Sequence, residues 1–313
     1  NQLQALHHIR AISRIEEKEH LWLDRFTIKN LELVYPQQER ATTLLDVIDF
    51  TLTAMGGRLL KRWLLLPLTN LQQIHARNGA VAWFYSHEQP TAAIRTQLSS
   101  CGDLERLISK VAVGKVNPRE IRHIHRSLTL INPIQELLRQ GKSNAMIGQL
   151  SGSFQACGEL LRQIDETIDP SPALAIGKGE VIKAGVNIEL DELREISTHG
   201  KQYLQELQDR EAEKTGITSL KIAYNNVFGY YIEVRNTHKD KVPSEWIRRQ
   251  TLVNAERYIT EELKEYEEKI LGAEAKIFAL EQQLYNELLV SMATHVGVIQ
   301  QNAATLARLD VLS

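Results

Sequence analysis

The sequence is poor in the residues that organise small or secreted folds. Its 313 residues include two cysteines, Cys101 and Cys157. They lie too far apart for a CxxC zinc or redox pair, and two thiols make no disulfide scaffold, a usage that fits a reducing compartment. Long hydrophobic runs are missing: the stretch from Trp63 to Leu66 stops at Pro67, far short of the roughly 18 residues of a membrane span. Proline (8) and glycine (17) are sparse and β-branched runs are few, which predicts a mainly helical chain. Net charge is only −2, so the chain as a whole attracts neither nucleic acid nor an anionic membrane, and any such binding falls to a local patch. The start, NQLQALHHIR, has no initiator Met and no signal-peptide layout. With the abrupt end at Leu312-Ser313 this reads as a piece of a longer, cytoplasmic protein.

What is present is helical periodicity. Residues 1–25 read as a polar linker ending in a helix. From Leu31 to Leu68 a helical pattern breaks at Pro36, restarts after Thr42-Thr43 and stops at Pro67. Asn70 opens the next helix, and further segments run over about 91–111, 118–139 and 144–168. The stretch Gly177 to Asn187 places glycines around a β-prone pair, which predicts a surface turn or small hairpin. Two segments then carry sustained 3-4 spacing: Leu193, Ile196, Gly200, Tyr203 and Leu207 going out, and Leu263, Tyr266, Ile270, Ala273, Ile277, Leu280 and Leu284 coming back. These predict the seam of an antiparallel helix pair over about 190–213 and 260–290, roughly 36 and 45 Å long. Between them the period becomes β. LKIAY and YYIEV predict two strands around the Asn225–Gly229 loop, and Gln250 to Val253 a third. The predicted fold is mainly α: a multi-helical core, with a long antiparallel helical stalk carrying a small β-sheet at its tip.

Motifs that carry chemistry are absent. Gly141-Lys142-Ser143 mimics the end of a P-loop, but Glu136 stands where that motif needs its first glycine and no strand precedes it. His123 and His125 point to different faces of a helix, and His87-Glu88 lacks a second His. The glutamates from Glu261 to Glu268 read as a solvated face whose first turn suits the helix dipole. No nucleophile, base and oxyanion set is found, and the chain is expected not to be an enzyme.

The stalk tip stands apart. Between Lys214 and Arg257 there are eight Lys/Arg against four acids, a net of +4, whereas residues 258–290 carry eight acids against three lysines. A basic tip on an acidic stalk, with short polar donors in its loops, suits phosphate contacts.

These same residues carry a resemblance. SLKIAYNNVFGYYIEV, RRQTLVNAERYITEELKEYEEKIL and ALEQQLYNEL resemble the clamp and return lever of the MutS family of bacterial DNA mismatch-repair proteins. Upstream, LLDVIDFTLTAMGGRLLKRWLLLPL (Leu44 to Leu68), CGDLERLISKVA (Cys101 to Ala112) and GVNIELDELRE (Gly185 to Glu195) resemble segments of its core, in the family order. The resemblance covers about residues 25–313. It implies that residues 1–25 end a connector and that 26–189 form the helical core domain. Residues 190–270 would be lever helices with the β clamp at 216–258, and 271–313 the return lever helix and end of the core. It further implies a homodimer whose levers and clamps surround duplex DNA, and a MutL-type repair partner. ATP and magnesium would sit in an ATPase domain. The family's mispair-reading Phe-x-Glu motif and its P-loop do not occur here, so this piece is expected to hold no cofactor of its own.

The expected DNA-binding residues are Asn225, Asn226, Arg248, Arg249, Thr251, Asn254 and Arg257. In this reading the hairpin loop at Asn225 and Asn226 faces Asn254 at the sheet edge, and Arg257 begins the return helix. A blander version has Asn254 capping that helix and Arg257 pairing with Glu261. Val253 stands where the family commonly has Lys, which predicts a weaker tip. The alternative function is a helical scaffold whose tip binds a protein partner through Phe228, Tyr230, Tyr231 and Trp246.

Overall fold

The computed structural model describes residues 19–38, 41–225, 227 and 229–313. They divide into two compact units, one comprising the described residues through Val181 with Asn286–Ser313, the other Ile182–Tyr285. The mainly helical reading holds, with one small sheet.

Among its described residues the first unit is helical, with a β-bridge between His20 and Leu68: α1 (Arg25–Asn30), α2 (Leu44–Ile48), α3 (Ala54–Leu65), α4 (Leu71–Ser86), α5 (Glu88–Ser99), α6 (Leu104–Ala112), α7 (Pro118–Thr129), α8 (Ile131–Leu138), α9 (Ala145–Ser153), α10 (Gly158–Thr167) and, after the return from the second unit, α13 (Val296–Leu312). The long helical segments expected here are broken into shorter ones, and local capping chemistry explains where. Thr43 and Asp46 form a reciprocal capping box at α2, and Asn117 and Glu120 form another at α7, with Pro118 in its first turn. Asp103 caps α6 by accepting from the Arg106 N–H, so the 91–111 segment restarts there. The core is aliphatic: Ile94, Leu98, Leu104, Ile108, Ile121, Ile124 and Ile134 are almost fully buried, each contributing about 1.5–3 kcal/mol by leaving water. The last helix packs on α3 and α6. Its Asp310, 2% exposed, accepts from the N–H groups of Leu52 and Thr53 and from the Thr53 hydroxyl, at 2.9, 2.8 and 2.7 Å. A carboxylate at this helix start satisfies donors that the helix itself leaves open. Over 177–187 the chain forms exposed turns at Gly177–Glu180 and Lys183–Gly185, while Val181 and Ile182 between them are fully buried and no hairpin strands form among the described residues.

The second unit holds α11 (Ile188–Thr215), four strands and the start of α12 (Glu261–Thr294). At 28 and 34 residues, α11 and the whole of α12 are about 42 and 51 Å long. Leu193, Gly200, Leu204 and Leu207 are buried on α11, with Leu263, Ile270 and Ala273 on α12. The expected seam slips by one residue at several positions: Ser197 is buried in place of the half-exposed Ile196, Leu204 beside the half-buried Tyr203, and Glu281 and Tyr285 beside the half-buried Leu280 and Leu284. The rings of Tyr203 and Tyr266 stack with centroids 3.7 Å apart. Ion pairs Arg194–Glu281, Lys201–Glu274 and Arg210–Glu262, each at 2.7 Å, tie the two helices along their length.

The sheet is antiparallel and four-stranded, with β1 (Lys221–Asn225), β2 (Gly229–Arg235), β3 (Ile247–Thr251) and β4 (Ala255–Ile259) in the order β1-β2-β4-β3. Its inner face, with Tyr230, Ile232, Val234 and Tyr258, packs beside Trp246 on Leu204, Leu207, Leu263 and Ile270. Two side chains of the helices also bond strand backbone: Gln208 accepts from the Ile222 N–H at 2.8 Å and Glu267 from the Tyr230 N–H at 3.1 Å.

Candidate nucleic-acid interface

The strand register separates residues that the sequence reading had grouped. Asn225 pairs with Gly229 across the β1–β2 hairpin, whereas Arg235, at the other end of β2, pairs with Ala255 at the start of β4. The β1–β2 hairpin and the β3–β4 turn therefore lie at opposite ends of the sheet, about 20 Å apart along six residues of β2. Asn225 and Asn254 cannot share one stretch of phosphates as neighbours.

The hairpin end is the helix-side end. There the Asn225 carboxamide oxygen accepts from the Val227 N–H at 2.8 Å, a local turn bond. Glu267 of α12 reaches Tyr230 beside it, and Gly229 has a positive φ of 74°. Asn226 and Phe228 lie outside the described residues.

The opposite end gathers basic groups. A short helical turn, Asn236–Lys241, follows β2. Asn236 fastens it to the β3–β4 turn, its backbone N–H donating to Asn254 O at 3.1 Å and its side-chain amide to Val253 O at 2.9 Å. Arg235, Lys239, Lys241, Arg249, Thr251, Val253 and Asn254 are all exposed here or on the adjoining edge strand. Arg249 sits at the register irregularity between Arg248 and Gln250, outside the paired ladder. Arg235, Lys241 and Arg249 form no ion pair with any described residue.

Two expected cations are committed elsewhere. Arg257 does not begin the return helix: it lies in β4, in a cross-strand row with Glu233 and Gln250. Its guanidinium donates to Glu233 at 3.1 Å and to Gln250 at 3.0 Å, and lies 4.2 Å from the centroid of the Tyr231 ring. Arg248 pairs with Glu256 at 3.3 Å. The Tyr258 hydroxyl donates to the same carboxylate, which together with Arg248 holds Glu256 below the ordinary glutamate range. Burial, and then Glu256, pushes Tyr258 up to about 12. The return helix is not capped by Asn254 either. Thr260 takes that place, its hydroxyl accepting from the Leu263 N–H at 3.1 Å.

Of the aromatic residues read as protein-partner anchors, Tyr231 and Trp246 are taken up by packing, each 6% exposed, and Tyr230 is half-buried. Among the described residues no cluster of His, Cys, Asp and Glu is placed to hold a metal ion, and no helix is long and apolar enough to cross a membrane. Of the residues exposed at the basic end, the sequence reading named Arg249, Thr251 and Asn254 and did not name Arg235, Lys239 and Lys241. Their signal was the local charge count, which included them; the topology that brings them together was not readable.

Paired long helices bearing a small antiparallel sheet with a basic outer end define a charge-presenting helical module. The chain belongs to the MutS domain III family, whose model matches residues 26–313. It is similar to the DNA mismatch repair protein MutS of Flavobacterium psychrophilum, 54% identical over 307 residues, covering 98% of this chain and 35% of the relative. The same-named protein of Flavobacterium johnsoniae is 54% identical over 305 residues, and that of Parabacteroides distasonis 52% over 305, each covering 97% of this chain and 35% of the relative. The chain thus spans about a third of the length of the curated relatives it matches.

Proposed function

We propose that this chain is the lever-and-clamp region of a bacterial mismatch-repair protein and holds duplex DNA by its phosphate backbone. The observation that carries the reading is the segregation of charge within the sheet. Lys214, Arg248 and Arg257 are neutralised by Glu245, Glu256 and Glu233, while Arg235, Lys241 and Arg249 are exposed and form no ion pair with any described residue, with Lys239 beside them. Such groups release counterions when they meet phosphates, and phosphate contacts position a protein without reading bases.

The division of labour follows. Arg249, Lys239, Lys241 and Arg235 contact phosphates, with Thr251 and Asn254 as neutral donors. Arg257 holds β2, β3 and β4 in register instead of touching DNA. Asn225 shapes the hairpin at the helix end. Val253, 92% exposed at the tip of the β3–β4 turn, adds no charge there. The long helices, bonded to strand backbone by Gln208 and Glu267, transmit movement to the sheet. In the full-length protein this region works within a homodimer with a MutL-type partner, and ATP with magnesium acts in another domain; this chain performs no bond chemistry.

Titration of the chain with matched and G·T-mismatched duplex DNA at 50 and 200 mM salt tests the reading. These four phosphate contacts give a loss of about 150-fold in affinity over that range, equal for both duplexes. Salt-insensitive binding, or a tenfold preference for the mismatch, would overturn it.

A further inference from the structure

We infer that a cavity in the first, helical unit binds a small phosphate-bearing anion, independently of the DNA-binding tip. The cavity is about 760 Å³ and is walled by α3, α4, α6, α9 and α13, with His20 at its side, a size that suits small-ligand sites. Four arginines line it, Arg58, Arg62, Arg77 and Arg308. The one carboxylate on its wall, Glu105, is already engaged by Arg58 at 2.6 Å, and Arg58 also holds Asp103 at 2.7 Å. That leaves Arg62, Arg77 and Arg308 without a carboxylate partner among the described residues.

The geometry of Arg77 gives the site its direction. Its guanidinium carbon lies 3.6 Å from the centroid of the Trp63 ring. Stacking of this kind fixes one face of the planar group and leaves its N–H edge to donate. Burial, and after it the charge of Arg308, disfavours the protonated form of Arg77. Like charges gathered in a half-buried cavity repel one another, and a multivalent oxyanion relieves that repulsion while accepting from several forks at once. Gln73 and Gln149 on the wall add neutral donors. A phosphate monoester or pyrophosphate carries two or more charges on closely spaced oxygens, matching a wall that carries three arginines without carboxylate partners better than a single carboxylate does.

Calorimetric titration of the chain with inorganic pyrophosphate tests this, with sodium chloride at equal ionic strength and citrate at equal charge as comparisons. The expected result is saturable pyrophosphate binding that weakens at least tenfold in Arg77→Gln and in Arg308→Gln. Arg308 is exposed, so the second variant keeps its fold even where the first loses packing on Trp63. Binding no stronger than that of chloride, or unchanged in Arg308→Gln, would overturn the proposal. Citrate binding as tightly as pyrophosphate would also overturn it, by assigning the cavity to carboxylates.

Discussion

Replacing Gly229 with Ala strikes the junction between the sheet and α12 at one atom. Gly229 has φ +74°, and a Cβ built there lies 2.0 Å from Oε1 of Glu267. Two costs follow. Alanine in the left-handed region costs about 1 kcal/mol over glycine. The Cβ also drives Glu267 from its place, removing the bond from the Tyr230 N–H at 3.1 Å. Bonds to charged groups contribute about 1.5–3 kcal/mol, and the lower end applies here because Glu267 is only partly buried. The total is about 2–3 kcal/mol. Hydrogen exchange of the amides from Lys221 to Arg235 reads it as lost protection of the hairpin. The mechanism is checked by a double-mutant cycle with Glu267→Ala. If the Cβ acts by displacing Glu267, Gly229→Ala costs only about 1 kcal/mol in that background, a coupling of about 1–2 kcal/mol. Additive effects of the two substitutions would refute the reasoning.

Three further outcomes are expected. Gly200→Ala places a Cβ 2.5 Å from Cγ1 of Ile270 and should lower urea stability of the helix pair by about 1–3 kcal/mol. Asp310→Ala strands the Leu52 and Thr53 N–H groups and should cost about 2–4 kcal/mol in urea unfolding of the first unit, with Asp310→Asn recovering part of it. Asp103 is raised by burial, but Arg58 and the Arg106 N–H outweigh that and hold it below the ordinary aspartate range. Its contribution is therefore complete above the unfolded value near 3.8 and fades as pH falls through the lower folded value. The destabilisation caused by Arg58→Gln should accordingly shrink on acidification below about pH 4.

The sequence carried the long helices and the first hairpin because both have strong periods. The 3-4 spacing from Leu263 to Leu284 and the alternation in YYIEV each match their elements. Strand β4 was hidden for a physical reason. NAERYITEELKEYEEK reads as one helix by local preference, since Ala, Glu and Arg favour helices. Cross-strand partners decide otherwise: Arg257 finds Glu233 on one side and Gln250 on the other, and Tyr258 faces Ile232. Missing that strand also misplaced the site. Three strands put Asn225 and Asn254 together, while the order β1-β2-β4-β3 puts them at opposite ends. The broken helices of the first unit were misread because its apolar periodicity runs on across breaks that caps such as Asp103 impose.

The basic end of the sheet as the DNA contact is tested most directly by the salt dependence of duplex binding in a Lys239→Gln, Lys241→Gln, Arg249→Gln triple variant. Each lost phosphate contact lowers the slope of log affinity against log salt by about 0.9. The triple variant should therefore lose about 2–3 from the slope magnitude, while Asn225→Ala at the other end leaves it unchanged. A triple variant that keeps the slope of the unsubstituted chain, or an Asn225→Ala variant that reduces it as much, would contradict the account.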